Sequence, residues 1–263
     1  MAKIMVTGGL GFIGSAVVRK LISSYEDEVL IVDKINYASS INSTDSVSKS
    51  KRIEFVRENI CNQNKIEEII LSKKPDKILH LAAETHVDKS IDSPKEFMTS
   101  NIMGTYSLLE ASKKYLINSN NKKLNNFIFH HVSTDEVFGD LGDSKKKFSE
   151  ISKYDPSSPY SASKASSDHL VRAWGRTYNF PYIITNTSNN YGPFQHPEKL
   201  IPHIIISALS YKSLPVYGNG EQIRDWIYVE DHVDALLEVC FNGRLGETYN
   251  IGGDSEKKNI DVV

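Results

Sequence analysis

Asp135 and Glu136 stand side by side in STDEVFGD, directly after the apolar run FIFHHV. Two carboxyls this close push their pKa values apart, so that one can stay protonated while the other is ionised. They are either an acid and a base held ready for one substrate or a solvated turn at a strand end. Successive strand residues point to opposite faces, so both reach one substrate only if the strand has ended by Ser133 or Thr134. A second pair, Tyr160 and Lys164 in YSASK, is spaced four apart and shares one face of a helix. A free tyrosine titrates near ~10 and needs about 4 kcal/mol of assistance to act as a base at neutral pH. A neighbouring cation such as the Lys164 ammonium shifts it in that direction; the plainer alternative is a helix-surface pair.

VTGGLGFIG sets Gly8, Gly11 and Gly14 at a GxxGxxG spacing between a predicted strand and a predicted helix. Glycine there permits a tight turn and close backbone approach to a pyrophosphate, while the helix N-terminus offers N–H groups and a positive dipole end. The next strand-like run, EVLIVD, ends in Asp33, placed to accept hydrogen bonds from an adenosine ribose. An aspartate there repels a 2′-phosphate, so the expected cofactor is NAD rather than NADP.

The elements that must position these residues alternate along the chain. KIMV, EVLIVD, RIEFV, KILHLA, FIFHHV and YIITN read as strands, and helical patterns run over 13–24, 66–73, 97–115 and 162–178. Strands apolar on both faces, alternating with helices, predict an α/β fold: a Rossmann-like doubly wound parallel sheet. Polar segments from Ala38 (ASSINSTDSVSKSK), Ile117 and Gly142 read as solvated surface loops. After Asn190 the pattern changes to a proline-bearing stretch, a helix to Ser210 and short strand-like pieces LPVYG, IRDWIY and TYNIG. The expected division is residues 1–188 as the NAD-binding domain and 189–263 as a smaller substrate-binding region interleaved with it. KKNIDVV ends the chain with an apolar pattern just beginning, which reads as a substrate region cut short at its C-terminus.

The 263 residues, 40% hydrophobic and 24% charged with a formal net charge of −2, are enough for a sizeable core and make no electrostatic case for nucleic acid or an anionic membrane. No apolar run approaches the ~18 residues of a membrane span, and no signal-type segment precedes the first strand. Two distant cysteines, Cys61 and Cys240, suggest neither a disulfide framework nor a thiolate metal site, and a cytoplasmic setting is expected. No histidine pair has the spacing of a helical metal site; His130 and His131 lie on a strand and face opposite sides, so no metal is expected. Neither Ser133 nor Ser161 sits in a GxSxG elbow.

TGGxGFIG, Asp33 and Tyr160-x-x-x-Lys164 resemble the extended short-chain dehydrogenase/reductase superfamily. HLAAETHVDKSI, HVSTDEVFGDL, SPYSASKASSDHLVRAW, SNNYGPFQHPEKLIP, GNGEQIRDWIYVEDH and GETYNIGG narrow the resemblance to the dTDP-glucose 4,6-dehydratases, across essentially the whole chain. The resemblance implies a lyase with NAD, acting on a nucleotide sugar in deoxysugar biosynthesis. Tyr160 would take the 4-hydroxyl proton, Lys164 would hold the ribose and lower the tyrosine pKa, and Thr134 would bond the C4 oxygen. Glu136 would then remove the C5 proton and Asp135 would protonate the departing C6 hydroxyl. Carried over position by position, the cofactor would meet Phe12, Ile13, Asp33, Lys34, Tyr37, Asn59, Ile60, Leu81, Ala82, Ala83, Ser100 and Asn190 besides the three glycines. The sugar nucleotide would meet Thr85, Asn189, Lys199, Leu200, Tyr217, Arg224 and Asn259. Arg224 is the natural diphosphate partner because its fork matches phosphate oxygens; its structural alternative is an ion pair with Asp225.

Glu58-Asn59-Ile60 departs from the aspartate that the family carries after the third strand, and Asn59 offers the adenine an amide instead. Family members also continue beyond this point with a further arginine, so a chain ending at Val263 is expected to bind NAD and hold substrate poorly. A homodimer is implied, paired through helices like those at 97–115 and 162–178. Three other readings remain open at this level: a UDP-glucose 4,6-dehydratase, a nucleotide-sugar 4-epimerase, and a non-catalytic NAD-binding protein. An epimerase has no use for an acid and a base at C5 and C6, so the Asp135–Glu136 pair speaks against it.

Overall fold

A computed structural model describes residues 1–118, 126–142, 146–214, 216 and 218–263. The first half alternates strands and helices: β1 (Lys3–Thr7), α1 (Phe12–Ser24), β2 (Glu28–Asp33), β3 (Ile53–Arg57), α2 (Gln63–Lys73) and β4 (Lys77–His80). Then come α3 (Val87–Asp92), α4 (Pro94–Phe97), a π-helical turn over Met98–Met103, and α5 (Gly104–Asn118). β5 (Ile128–Thr134) runs into a 3₁₀ turn over Asp135–Phe138, followed by α6 (Pro159–Tyr178), β6 (Tyr182–Thr187) and β7 (Asn189–Tyr191). The remainder is α7 (Leu200–Leu209), β8 (Ile223–Tyr228), α8 (Val229–Asn242), β9 (Thr248–Ile251), β10 (Glu256–Lys258) and α9 (Asn259–Val262).

Seven strands form one parallel sheet in the order β3-β2-β1-β4-β5-β6-β9. Side chains alternate across it, and both faces are covered. Ile4, Val6, Val29 and Ile31 pack with Val17 and Leu21 of α1 and Leu236 and Leu237 of α8. Met5, Leu30 and Ile78 face the other way, onto Ile66 and Ile70 of α2 and Leu108 and Leu109 of α5. Two-sided burial is why these strands read as continuous apolar runs. The strand order reverses between β1 and β4, which opens a crevice beyond the carboxyl ends of the strands, where doubly wound sheets bind ligands. A second sheet of β10, β8 and β7 lies in the C-terminal part, while α8 and β9 return to the large sheet.

Two sequence expectations change. The segment from Ala38 is more than solvated padding: Ile41–Val47 forms a 3₁₀ helix in which Ser43 and Thr44 are buried, and Arg19 of α1 donates to the Ser43 carbonyl at 2.8 Å. LPVYG forms no strand in its described residues. Among the described residues, no helix is long and apolar enough to cross a membrane.

α6 carries the Tyr160–Lys164 pair and starts with a serine capping box. Ser158 Oγ accepts the Ser161 N–H at 3.0 Å, and Ser161 Oγ accepts the Ser158 N–H at 3.0 Å. Further along, Gly175 lets the helix lie on the ring of Tyr182, the first residue of β6. A Cβ there would overlap Tyr182 Cε1 and come within 2.6 Å of Cδ1. Overpacking of this kind costs about 1–3 kcal/mol, against roughly 0.5–1 kcal/mol gained from the better helix propensity of alanine. Gly175→Ala is therefore expected to melt a few degrees below the wild type in calorimetry, and an unchanged or raised midpoint would show that the ring yields freely.

Candidate active site

One cavity gathers most of the residues singled out above. It is lined by Gly8, Gly11, Phe12, Ile13 and Gly14 from the first turn, and by Asp33, Lys34 and Tyr37 beyond β2. Asn59, Ile60, Leu81, Ala82, Ala83, Thr85 and Ser100 line it further, with Thr134, Asp135, Glu136, Tyr160, Lys164, Asn189, Asn190 and Lys199. Leu200, Arg224 and Asn259 are not part of this lining, and Tyr217 lies outside the described residues. Leu200 opens α7, and Asn259 opens α9 with its N–H donated to the Gln222 carbonyl at 2.9 Å. Arg224 is exposed and does not pair with Asp225, whose oxygens accept the N–H groups of Gly253 and Ser255, each at 2.7 Å.

The glycine turn fits a dinucleotide. Gly8 has φ +70°, and a Cβ on it would stand 2.8 Å from the Ala82 backbone. A Cβ on Gly14 would collide with the Gly8 carbonyl oxygen. The turn can close only without side chains, and it leaves the first N–H groups of α1 facing the cavity, because the N-cap, Gly11, supplies no side-chain acceptor. Asp33 is 6% exposed. Its Oδ2 accepts the Leu10 N–H at 3.1 Å, and its Oδ1 accepts from the Ile35 N–H at 2.8 Å and the Ser39 hydroxyl at 3.0 Å. Three of roughly four lone-pair sites on the carboxylate are thereby used, leaving one for a ribose hydroxyl. Lys34 is held by Glu84 at 2.6 Å.

At the other end of the cavity, β5 stops at Thr134, as the shared reach of Asp135 and Glu136 requires. Thr134 pairs with Thr187 at the last rung of the ladder, and Asp135 begins the 3₁₀ turn. Thr134 caps that turn by accepting the Glu136 N–H at 3.2 Å, and its hydroxyl donates to Asp135 Oδ1 at 3.3 Å. Burial, then the neighbouring Glu136, raises the Asp135 pKa to about 7. Burial also raises that of Glu136, but Arg224 and Lys199 counter it. Asp135 thus retains a proton near neutral pH that it can give up, while the two cations favour the carboxylate form of Glu136. The positive charge of Arg224 acts on both carboxyls although its side chain does not line the cavity.

Tyr160 departs from the expectation of a lowered pKa. Burial pushes its hydroxyl up, the Glu136 charge adds to this, and a hydrogen bond with Thr134 opposes it only in part. Lys164 does not reverse the shift: its ammonium donates to the Val132 carbonyl at 2.9 Å, and burial lowers its pKa to about 8. The side chains present hold Tyr160 as a phenol.

The segment 192–199, of which only Lys199 was expected to meet a ligand, brings further residues to the cavity. Phe194 lies under the Arg19 guanidinium, 4.8 Å from carbon to ring centre. His196 meets the Tyr37 ring edge-on at 5.4 Å, and Glu198 pairs with Lys89 at 2.9 Å. Gln195, His196 and Glu198 all line the cavity, and no local pattern distinguishes them from an ordinary polar loop. His130 and His131 do face opposite sides. His130 Nε2 lies 3.1 Å from Thr185 Oγ1 and His131 Nε2 lies 3.1 Å from Asp168 Oδ1. Among the described residues, no group of three or more His, Cys, Asp or Glu could hold a metal ion.

A family model described as GDP-mannose 4,6 dehydratase matches residues 5–263. The dTDP-glucose 4,6-dehydratase of Shigella flexneri is 56% identical over 269 residues, covering 99% of this chain and 74% of that protein. The dTDP-glucose 4,6-dehydratase of Streptomyces venezuelae, solved with NAD, superposes with a TM-score of 0.91 at 38% identity, covering 99% of this chain and 78% of that one. That of Bacillus anthracis, also in complex with NAD, gives 0.88 at 41% identity, with coverages of 99% and 78%. The same glycine turn, tyrosine–lysine helix and paired carboxyls stand in a chain this similar over its whole length, and the chain belongs to the nucleotide-sugar 4,6-dehydratase family, among its dTDP-glucose 4,6-dehydratases.

Proposed function

We propose that the protein converts dTDP-glucose into dTDP-4-keto-6-deoxyglucose by oxidation at C4, elimination of water across C5 and C6, and reduction at C6. The observation that carries this reading is the shared cavity. Two adjacent carboxyls of unequal acidity open onto the space that also holds Tyr160 and the glycine turn. Residues 1–188 serve chiefly to hold NAD and 189–263 to hold the sugar nucleotide, with α8 and β9 returning to the large sheet. The family setting supports a cytoplasmic homodimer paired through the helical segments 97–115 and 162–178, where Met103 of the π-helical turn and Tyr178 of α6 are exposed. A monomeric mass in light scattering would remove the dimer.

NAD, when bound along Gly8, Gly14 and Asp33, supplies the acceptor for the C4 hydride, its return to C6, and a ring cation that favours tyrosinate. Tyr160 takes the proton of the 4-hydroxyl, and Thr134, bonded to both Tyr160 and Asp135, is placed to hold the C4 oxygen. Once C4 is a ketone, the adjacent C5 proton is acidic, and the Glu136 carboxylate removes it. Asp135, protonated near neutral pH, gives its proton to the C6 oxygen, which leaves as water. Lys199 and Arg224 place positive charge beside this pair and favour the carboxylate form of Glu136.

Incubation with dTDP-glucose is expected to yield a product lighter by one water in mass spectrometry, with faster turnover than on UDP-glucose. An isomer of unchanged mass would mean epimerase chemistry, and no turnover would leave a binding protein. Asp135→Asn is expected to lower kcat by about 10²–10⁴ with KM little changed, the range for a lost general acid; an equal kcat would remove Asp135 from the mechanism. The same variant tests the burial cost. The Asp135 pKa rises from 3.8 to about 7, so stability tied to its neutral form is complete below 3.8 and lost as pH rises through 7. Asp135→Asn is therefore expected to gain thermal stability relative to wild type at pH 8 and to lose that advantage toward pH 4, read by calorimetry.

A further inference from the structure

The buried carboxylate of Asp168 has no part in the steps above, yet it joins α6 to β5, β6 and the segment before α6. It is 0% exposed, on the face of α6 that carries Lys164 one turn earlier and Tyr160 two turns earlier. Its Oδ2 accepts the Tyr154 hydroxyl at 2.7 Å and the Asn186 amide at 3.2 Å. Its Oδ1 lies 3.1 Å from His131 Nε2. Asn186 uses the same amide nitrogen to hold the Thr134 carbonyl at 3.0 Å, at the point where β5 ends. Tyr154, on the other side, packs edge-on against Phe138, the last residue of the 3₁₀ turn, with ring centres 5.3 Å apart. The chain beside it closes the same turn, the Asp155 N–H donating to the Val137 carbonyl at 3.0 Å. One carboxylate therefore reaches both ends of the four-residue turn that bears the acid and the base.

We propose that Asp168 is the positioning residue of the Asp135–Glu136 pair, holding the start of their 3₁₀ turn through Asn186 and its end through Tyr154. A surface carboxylate would be a poor anchor because water competes for it. A fully buried one is expensive to leave unpaired, so its partners are held firmly. Burial works against its charge, but His131, Lys164 and Tyr154 keep its pKa below the ordinary carboxylate value. It also favours the charged form of Lys164 against the burial that lowers that group. Neutral asparagine at 168 preserves the shape and loses the charge-assisted bonds. The segment 134–139 then loses its two tethers while the apolar layers of the sheet are untouched.

The proposal rests in part on the dehydratase reading, and amide hydrogen exchange on the chain without added ligand tests it separately from that reading. In Asp168→Asn, the amides of Glu136, Gly139 and Asp155 are expected to exchange about tenfold faster or more, while those of β1 keep their rates. Unchanged rates at 136, 139 and 155 would overturn the proposal, and so would a uniform increase across the sheet, which marks a plain stability role. On dTDP-glucose, the NAD-loaded variant is expected to lose at least ~10-fold in kcat with KM within about threefold of wild type. A loss carried by KM alone would also overturn it. Tyr154→Phe removes one bond of the carboxylate, together with the one that the Tyr154 hydroxyl accepts from Arg172, is expected to shift the same amides by less, and decides the matter should Asp168→Asn fail to fold. Absence of wild-type turnover would count against the dehydratase reading, with the exchange pattern still deciding the role of Asp168.

Discussion

A strand cannot present two successive side chains to the same ligand, because the pleat sends them to opposite faces. Asp135 and Glu136 share one cavity only because the β5 ladder ends at Thr134 and the backbone turns at once into a 3₁₀ helix. The remaining architecture serves that change of direction. β4 and β6 flank β5 and fix its register, and α6 crosses above with Tyr160 and Lys164. The reversal of strand order between β1 and β4 opens the crevice that the glycine turn lines.

Assembling such a site concentrates unfavourable burial in one place. Asp135, Glu136, Tyr160 and Lys164 all have pKa values displaced by burial in the direction that disfavours their charged forms. Each is a cost in stability, and the two apolar layers on either side of the sheet offset it. The same burial makes the groups useful. A carboxyl near pH 7 can give a proton, and a phenol poised by its surroundings responds strongly to a cation placed beside it.

Much of the fold and the chemical core was legible because local spacing encodes local geometry. The glycines of VTGGLGFIG announce a turn that tolerates no side chain, and four-residue spacing puts Tyr160 and Lys164 on one helix face. Other features depend on partners distant in the chain and leave no local mark. Ser43 and Thr44 lie in a polar run that reads as solvated, yet Arg19, 24 residues away from Ser43, helps to bury it. Arg224 and Asp225 look like neighbours that would pair, but Asp225 is taken by the backbone of Gly253 and Ser255. The Tyr160 pKa shows the same limit. Proximity to Lys164 is readable from spacing, whereas the Val132 carbonyl that engages the ammonium belongs to another element.

By itself, then, the sequence determined the alternating α/β pattern and the dinucleotide turn, since both follow from periodicity and from spacings of a few residues, while the roles of the side chains around STDEVFGD and YSASK came from the resemblance to the dehydratases. Tertiary structure alone decided which of those side chains face one another and in what protonation state. It ended β5 at Thr134, set Asp168 against Asn186 and Tyr154, and brought Gln195, His196 and Glu198 to the cavity. The physical reason is that burial and charge depend on the whole set of neighbours in space, and a linear spacing records only those within reach of one helical turn or one strand.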